Sequence, residues 1–363
     1  MKKVYLKCVY KKNLGDDLLV KCICDRYPNT KFYVMNYLDG KIIPKINNLY
    51  DKKISYITFR LFRKLAYKTN SFHLIEKNII NKCDFVVSIA GSIFMEKKDG
   101  TIDERITWFN RLPKDFYLIG SNIGPVYTND YINLIKDKVL RKACDICLRD
   151  KKSYNLVKDL NNVRYAPDVV FSLDVSKYLN NKESNKIIIS VINIEDKKSQ
   201  IVTPNENKYN ELINNLIDKF ISLNYEVELF SFCSKEKDDI AINNILDNNK
   251  NKDIVKTYFY DGNVDDALNE LGSAKVIVGT RFHANVLGLM LNKAILPIIY
   301  NDKTRELLED INFKGKYIDI ENIDSFNVNE LTDKDLEYKL NIDKYKEDSS
   351  KHFKELDKVL GRD

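Results

Sequence analysis

Short runs of β-branched and aromatic residues alternate with longer segments of helical period along most of the chain, and this alternation constrains the fold more than any other feature. A strand that returns parallel to its predecessor needs a crossover, usually a helix, so the pattern predicts βαβ units around parallel sheets. In the first half the strand candidates are residues 3–10, 31–37, 54–58, 84–90, 115–120 and 144–148, with helical patterns over 16–26, 102–111 and 131–142. The second half repeats the theme with strands over 186–192, 225–230, 275–279 and 294–299, and helices near 207–222, 236–248 and 264–272. A chain of 363 residues exceeds what one core usually organises, at about 150 residues per domain. The polar stretch 177–185 is the best linker, giving an α/β chain of two Rossmann-like domains, 1–177 and 186–330, with a charged, amphipathic helical tail over 331–363.

With 44% hydrophobic and 31% charged residues the chain has apolar side chains for real cores, which excludes disorder as the reading. The net charge of +6 arises from 59 basic and 53 acidic residues interspersed along the sequence, as on a solvated surface. No basic stripe with interleaved aromatics occurs, so no nucleic-acid partner is expected. Met1-Lys2-Lys3 leads straight into a strand-like run too short for a signal segment, and no window reaches about 18 uncharged apolar residues. The expected location is cytoplasmic, and both a peripheral contact with the inner membrane face and a homo-oligomer are compatible with that. The seven cysteines read as reduced thiols. Cys144 and Cys147 have knuckle spacing without a second Cys or His pair, so they read as small buried hydrophobes on a strand, and no metal site is expected. His73 and His352 fall in polar segments that read as exposed, and neither receives a role.

Ligands of doubly wound sheets lie beyond the carboxyl ends of strands, so the residues just after each strand are the informative ones. Asn13-Leu14-Gly15-Asp16-Asp17 offers a tight turn with acids at a helix start, which capping alone also explains. Ser88-Ile89-Ala90-Gly91-Ser92 and Gly120-Ser121-Asn122-Ile123-Gly124-Pro125 end strands in small or polar residues suited to ligand hydroxyls, or simply to tight turns. Arg149, after Cys147-Leu148, either pairs with Asp150 or binds an anion, for which a guanidinium fork is well shaped. Gly279-Thr280-Arg281-Phe282-His283 is the sharpest place: an arginine and a histidine converge on a helix start, with Thr280 a candidate N-cap and His283 suited to proton transfer. A histidine that merely caps the helix is the structural alternative. Lys303 follows the next strand and can bring another cation, or lie on the surface. Neither a G-x-G-x-x-G turn nor a G-x-x-x-x-G-K-[ST] loop occurs, which ranks nicotinamide enzymes and P-loop NTPases low.

In order and spacing these segments, together with Cys83–Ser92, Leu148–Ser153 and Ala166-Pro167-Asp168-Val169-Val170-Phe171, resemble the polysaccharide pyruvyl transferase family across most of the chain. The chain departs from the family pattern at Ala90, where a further glycine is usual. The resemblance implies a fold like that of GT-B glycosyltransferases, with two Rossmann-like domains facing a central cleft and a C-terminal helix that returns to the first. It implies phosphoenolpyruvate as donor substrate, no cofactor, and a sugar acceptor, lipid-linked or polymeric, whose two hydroxyls receive the pyruvyl carbons as a ketal with release of phosphate.

On this reading Arg149, Arg281 and Lys303 match donor-side positions and suit a carboxylate and a phosphate. His283 either protonates the donor methylene or deprotonates the acceptor hydroxyl. Asp17, Gly91, Ser92, Ser121 and Asn122 are candidate acceptor contacts from the first domain, and Thr280 is a further substrate-binding candidate. Two other readings stand beside it: a GT-B glycosyltransferase using a nucleotide sugar, and a catalytically silent carbohydrate-binding or scaffolding homologue in a glycan assembly complex, whose mark would be loss of the Arg-His-Lys set.

Overall fold

The structure is a computed structural model that describes residues 1–9, 12–36, 44, 46–53, 57, 60–61, 76–179, 184–197 and 206–361. Two compact units organise it, the first from residues 1–10, 16–173 and 344–363 and the second from 11–15 and 174–343. The first carries β1 (Lys3–Lys7), α1 (Leu14–Arg26), β2 (Lys31–Asn36), β3 (Leu49–Lys53), α2 (Lys77–Ile80), β4 (Phe85–Ile89), β5 (Ser92–Phe94), α3 (Glu104–Asn110), β6 (Phe116–Ile123), α4 (Asn129–Lys138), β7 (Asp145–Leu148), α5 (Lys151–Val157) and β8 (Val163–Tyr165). The second carries β9 (Lys186–Ser190), α6 (Glu206–Ser222), β10 (Glu226–Ser231), α7 (Asp238–Asp247), β11 (Lys256–Phe259), α8 (Val264–Gly272), β12 (Val276–Gly279), α9 (Phe282–Met290), β13 (Ala294–Ile299), α10 (Asp302–Asp310) and β14 (Ile318–Asp319). Then follow α11 (Asp343–Ser350), a 3-10 turn over Lys351–Phe353, and α12 (Lys354–Leu360).

Both sheets are parallel. The first runs β3-β2-β1-β4-β6-β7-β8 with β5 paired to β6, and the second runs β11-β10-β9-β12-β13-β14. In each, the order reverses beside the first strand, between β1 and β4 and between β9 and β12, and that reversal opens a crevice at the strand carboxyl ends. Of the strands flanking it, β4 and β12 are buried at every position and, Ser88 apart, carry no polar side chain, as suits strands covered on both faces: Phe85-Val86-Val87-Ser88-Ile89, and Val276-Ile277-Val278-Gly279. Helices return over them on apolar stripes; α6 buries Tyr209, Leu212, Ile213, Leu216, Ile217 and Phe220 at spacings of three and four. Asp103, Thr128, Asp150, Asn263 and Asn301 start α3, α4, α5, α8 and α10 by accepting a backbone N–H.

Several details differ from the sequence reading. The expected strand over 54–58 falls mostly outside the described residues, as does His73, and the third strand of the sheet is Leu49–Lys53. The units divide between Leu173 and Asp174 rather than in 177–185, because Tyr178 is buried against Asp265 through its hydroxyl; residues 180–183 lie outside the described set. The tail is also divided: 331–343 belongs to the second unit and 344–363 to the first. His352, taken as exposed, is fully buried, and Cys144 is exposed just before β7 while Cys147 is buried within it. Among the described residues no helix is long and apolar enough to cross a membrane.

Candidate active site

In the first unit the carboxyl ends of β4, β6 and β7 converge. Gly120 holds a φ of +72° and is skipped in the β6–β7 pairing, which passes from Ile119 opposite Cys147 to Ser121 opposite Leu148. Ser121 donates its hydroxyl to the Ala90 carbonyl at 3.0 Å, tying β6 to the turn after β4. Asn122 Oδ1 accepts from Ser92 Oγ at 2.8 Å and from Arg149 Nη2 at 3.0 Å. Arg149 Nη1 donates to Asp168 Oδ2 at 3.1 Å, and Gly91 lies against the guanidinium. Arg149 is only 9% exposed, so one acceptor on each terminal nitrogen fixes the plane of a buried fork. Asp150, its chain neighbour, faces the other way and caps α5 through Ser153 N. Asp17 is buried in the first turns of α1.

In the second unit Arg281 stands just beyond β12, at the reversal of strand order. Its backbone N–H donates to Ser190 Oγ at the end of β9, 3.1 Å away. Its guanidinium is taken by two carboxylates: Nε reaches Asp238 Oδ2 at 3.1 Å, and the terminal nitrogens bond Asp238 and Glu236. Burial works against the charged guanidinium, but Asp238 and Glu236 hold its pKa well above the ordinary value. Asp238 also accepts from Phe232 N at 3.1 Å and Cys233 N at 2.9 Å, and the Phe232 carbonyl in turn accepts from Leu14 N at 3.0 Å. That chain of bonds seats the Asn13–Gly15 turn, which belongs to this unit and not to the first domain, in the unit that carries His283. His283 is half-buried in the first turn of α9, edge-on to Phe282, and a Cβ on Gly15 would overlap its Nδ1 and lie 3.0 Å from its Cε1. Thr280 does not cap α9: it is fully buried and its hydroxyl bonds Tyr209 at 3.1 Å, leaving Arg281 at the N-cap. Lys303 is half-buried in the first turn of α10, beyond β13.

The sequence matches the polysaccharide pyruvyl transferase family over residues 13–303, a span that opens at the Asn13 turn and closes on Lys303. The chain belongs to that family. Known structures share the fold at low identity. The S. aureus MnaA–UDP complex aligns with a TM-score of 0.59 at 13% identity, covering 99% of this chain and 97% of that one. Anabaena Alr3699/HepE in complex with UDP aligns at 0.57 and 11%, covering 99% and 100%, and the UDP-GlcNAc 2-epimerase of Methanocaldococcus jannaschii at 0.56 and 11%, covering 98% of each. The fold is thus that of the GT-B proteins, two domains with parallel α/β sheets.

In this pyruvyl transferase family member the structure brings Arg149, Asn122, Ser92 and Gly91 into one cluster, and places Arg281 and His283 two residues apart on either side of the start of α9. Ser121 and Thr280 spend their hydroxyls inside the protein. Sequence reasoning missed the carboxylates. Asp168 was visible in the Ala166-Pro167-Asp168 segment but not as the partner of Arg149, and Glu236 and Asp238 carried no signal beyond standing after β10 at the start of α7. Among the described residues no three His, Cys, Asp or Glu side chains gather as a metal site requires.

Proposed function

We propose that this chain transfers the pyruvyl carbons of phosphoenolpyruvate to two hydroxyls of a glycan sugar. In the reaction the C3 methylene takes a proton and becomes a methyl group, one sugar oxygen adds to C2 with loss of its proton, and the second displaces phosphate to close the ketal. Arg149 binds an anionic group of the donor, Lys303 supplies a second cation, and His283 carries the proton. The observation that carries the reading is the buried Arg149 fork, held in plane by Asn122 and Asp168 at a strand carboxyl end within a chain of this family. Arg281 takes a different part from the one expected of it: with two carboxylates on its guanidinium, it anchors the start of the His283 helix rather than clamping the donor. The acceptor is a hydroxyl-rich sugar, polymeric or lipid-linked, which brings the protein to the inner membrane face when the acceptor is lipid-borne.

The test is incubation with phosphoenolpyruvate and a panel of glycan acceptors, followed by phosphate release and mass spectrometry of the glycan. A gain of one pyruvate less water is expected, and His283→Ala should lower turnover by about 10²–10⁴-fold. Phosphoenolpyruvate turnover by that variant at the wild-type rate would remove His283 from the reaction. The second reading, transfer from a nucleotide sugar, draws on the fold shared with UDP complexes of HepE and MnaA. Thermal shifts separate the two, because the donor that binds the native state raises its melting temperature. A shift with UDP- or GDP-sugars and none with phosphoenolpyruvate would favour the nucleotide sugar.

A further inference from the structure

Residues 344–360 fold onto the first unit far from their place in the chain, and their polar contacts there are specific. Asp357 accepts from Arg26 Nε at 2.9 Å, from Arg26 Nη2 at 2.6 Å and from the Tyr27 hydroxyl at 2.8 Å. Arg164 of β8 donates to the carbonyls of Lys351 and His352, each at 3.0 Å. Two further bonds reach the segment that leads to Arg149. Ser349 Oγ donates to the Asp168 carbonyl at 2.8 Å, and His352 Nε2 lies 2.7 Å from the Pro167 carbonyl. A carbonyl only accepts, so Nε2 carries the proton; burial pushes the His352 pKa down to about 4, which keeps the ring neutral. Ser349 and His352 are both fully buried.

The two carbonyls belong to the peptide planes on either side of the Asp168 Cα. Fixing both planes fixes the backbone of Asp168, here at φ −46° and ψ 136°, and with it the direction of its Cα–Cβ bond. One carboxylate oxygen then caps the turn over Val169–Ser172 through Val170 N at 2.9 Å, and the other meets Arg149 Nη1. Buried polar side chains cost stability unless they are bonded, and an apolar pair of the same size would seat the segment equally well beside the buried Phe353 and Leu356. What an apolar pair would lack is a hold on Pro167 and Asp168.

We infer that Ser349 and His352 are positioning residues for Arg149: they hold the peptide planes around Asp168 so that its carboxylate aims the guanidinium. The inference rests on Arg149 acting on the donor, as in the function proposed above.

The experiment compares the full chain with Ser349→Ala/His352→Leu, with His352→Gln, whose amide restores a donor for Pro167, and with Asp357→Asn, which loosens the same segment away from Asp168. Two readouts are taken: kinetics against phosphoenolpyruvate, and amide exchange of Val170, whose N–H reports the Asp168 carboxylate. The double variant should lose kcat/KM on the order of a hundredfold, mostly through the donor KM, and exchange Val170 faster. His352→Gln should recover most of that loss. Asp357→Asn should match the double variant in lowered melting temperature and the wild type in donor KM. Unchanged Val170 exchange in the double variant, or a donor KM that rises equally in Asp357→Asn, overturns the inference. If the wild type itself never turns over phosphoenolpyruvate, the proposed function falls, and Val170 exchange still decides whether Ser349 and His352 hold Asp168.

Discussion

Acid should destabilise the first unit through His352 before its carboxylates are protonated. The imidazole has a pKa of about 4 when folded, against 6.5 for a free side chain, because burial and the nearby Arg164 and Arg149 disfavour its charge more than the Pro167 carbonyl and Asp168 favour it. A base whose pKa is depressed by folding costs nothing above about pH 6.5, where both states are neutral. As the pH falls, the unfolded chain binds a proton that the native one refuses, so stability is lost between about 6.5 and 4. Linkage with these two values gives a loss of about 2 kcal/mol at pH 5 and about 3 kcal/mol at pH 4. The sequence has a single tryptophan, Trp108, and it is buried in the first unit, so urea unfolding followed by its fluorescence reports that unit directly. Measured from about pH 7.5 to 4.5, the wild-type midpoint should fall more steeply than that of His352→Gln, which cannot titrate there. Other ionisable groups contribute alike to both proteins, and the difference isolates His352. Parallel pH profiles for the two would refute the argument.

Three further outcomes follow from the packing. Asp238→Ala leaves the buried Arg281 guanidinium with half of its compensation and strips the Phe232 and Cys233 amides of their acceptor; a loss of about 3–5 kcal/mol is expected in denaturant unfolding followed by circular dichroism. Gly15→Ala puts a methyl group onto His283 Nδ1, so it should cost about 1–3 kcal/mol from overpacking and lower kcat more than the melting temperature suggests, and a wild-type kcat would show that the ring does not act from this position. In the native protein iodoacetamide should alkylate Cys144 ahead of the buried Cys22, Cys24, Cys83, Cys147 and Cys233, read by peptide mass spectrometry; early labelling of Cys147 would contradict the placement of β7.

The architecture was legible where burial dictates residue type on both faces of a strand. β9, β12 and β13 are built around Ile and Val, and their register beside one another follows once they are recognised as parallel. β11, with the sequence Lys-Thr-Tyr-Phe at the sheet edge, is mostly exposed and carries no such signature, and the two-residue β14 is shorter than any periodicity can reveal. The family was readable from motif order for a related reason: turns at strand ends keep local sequence rules. Charge pairing keeps none. Asp150 was the natural partner for Arg149 in the sequence, but successive residues leaving a strand point to opposite faces, and the real partner lies 19 residues on. The partners of Arg281 lie 43 and 45 residues upstream, beyond β10, and only the sheet order brings them to the end of β12. His352 looked exposed because its neighbours are charged; they ring a buried side chain whose carbonyl partner is 185 residues away.

The distribution of the chain between the two units has a consequence for biosynthesis. Arg26 finds its carboxylate 331 residues later, and the edge contact of Tyr27 with Phe353 joins the same distant stretches. The N-terminal unit is therefore still unfinished while the whole of 174–343 is being translated and folded, and the Pro167–Asp168 loop waits for its last two hydrogen bonds until residues 349–352 emerge. A chain truncated before residue 344 would keep every described strand of both sheets, yet Tyr27 would lose the cover of Phe353 and Arg26 its carboxylate.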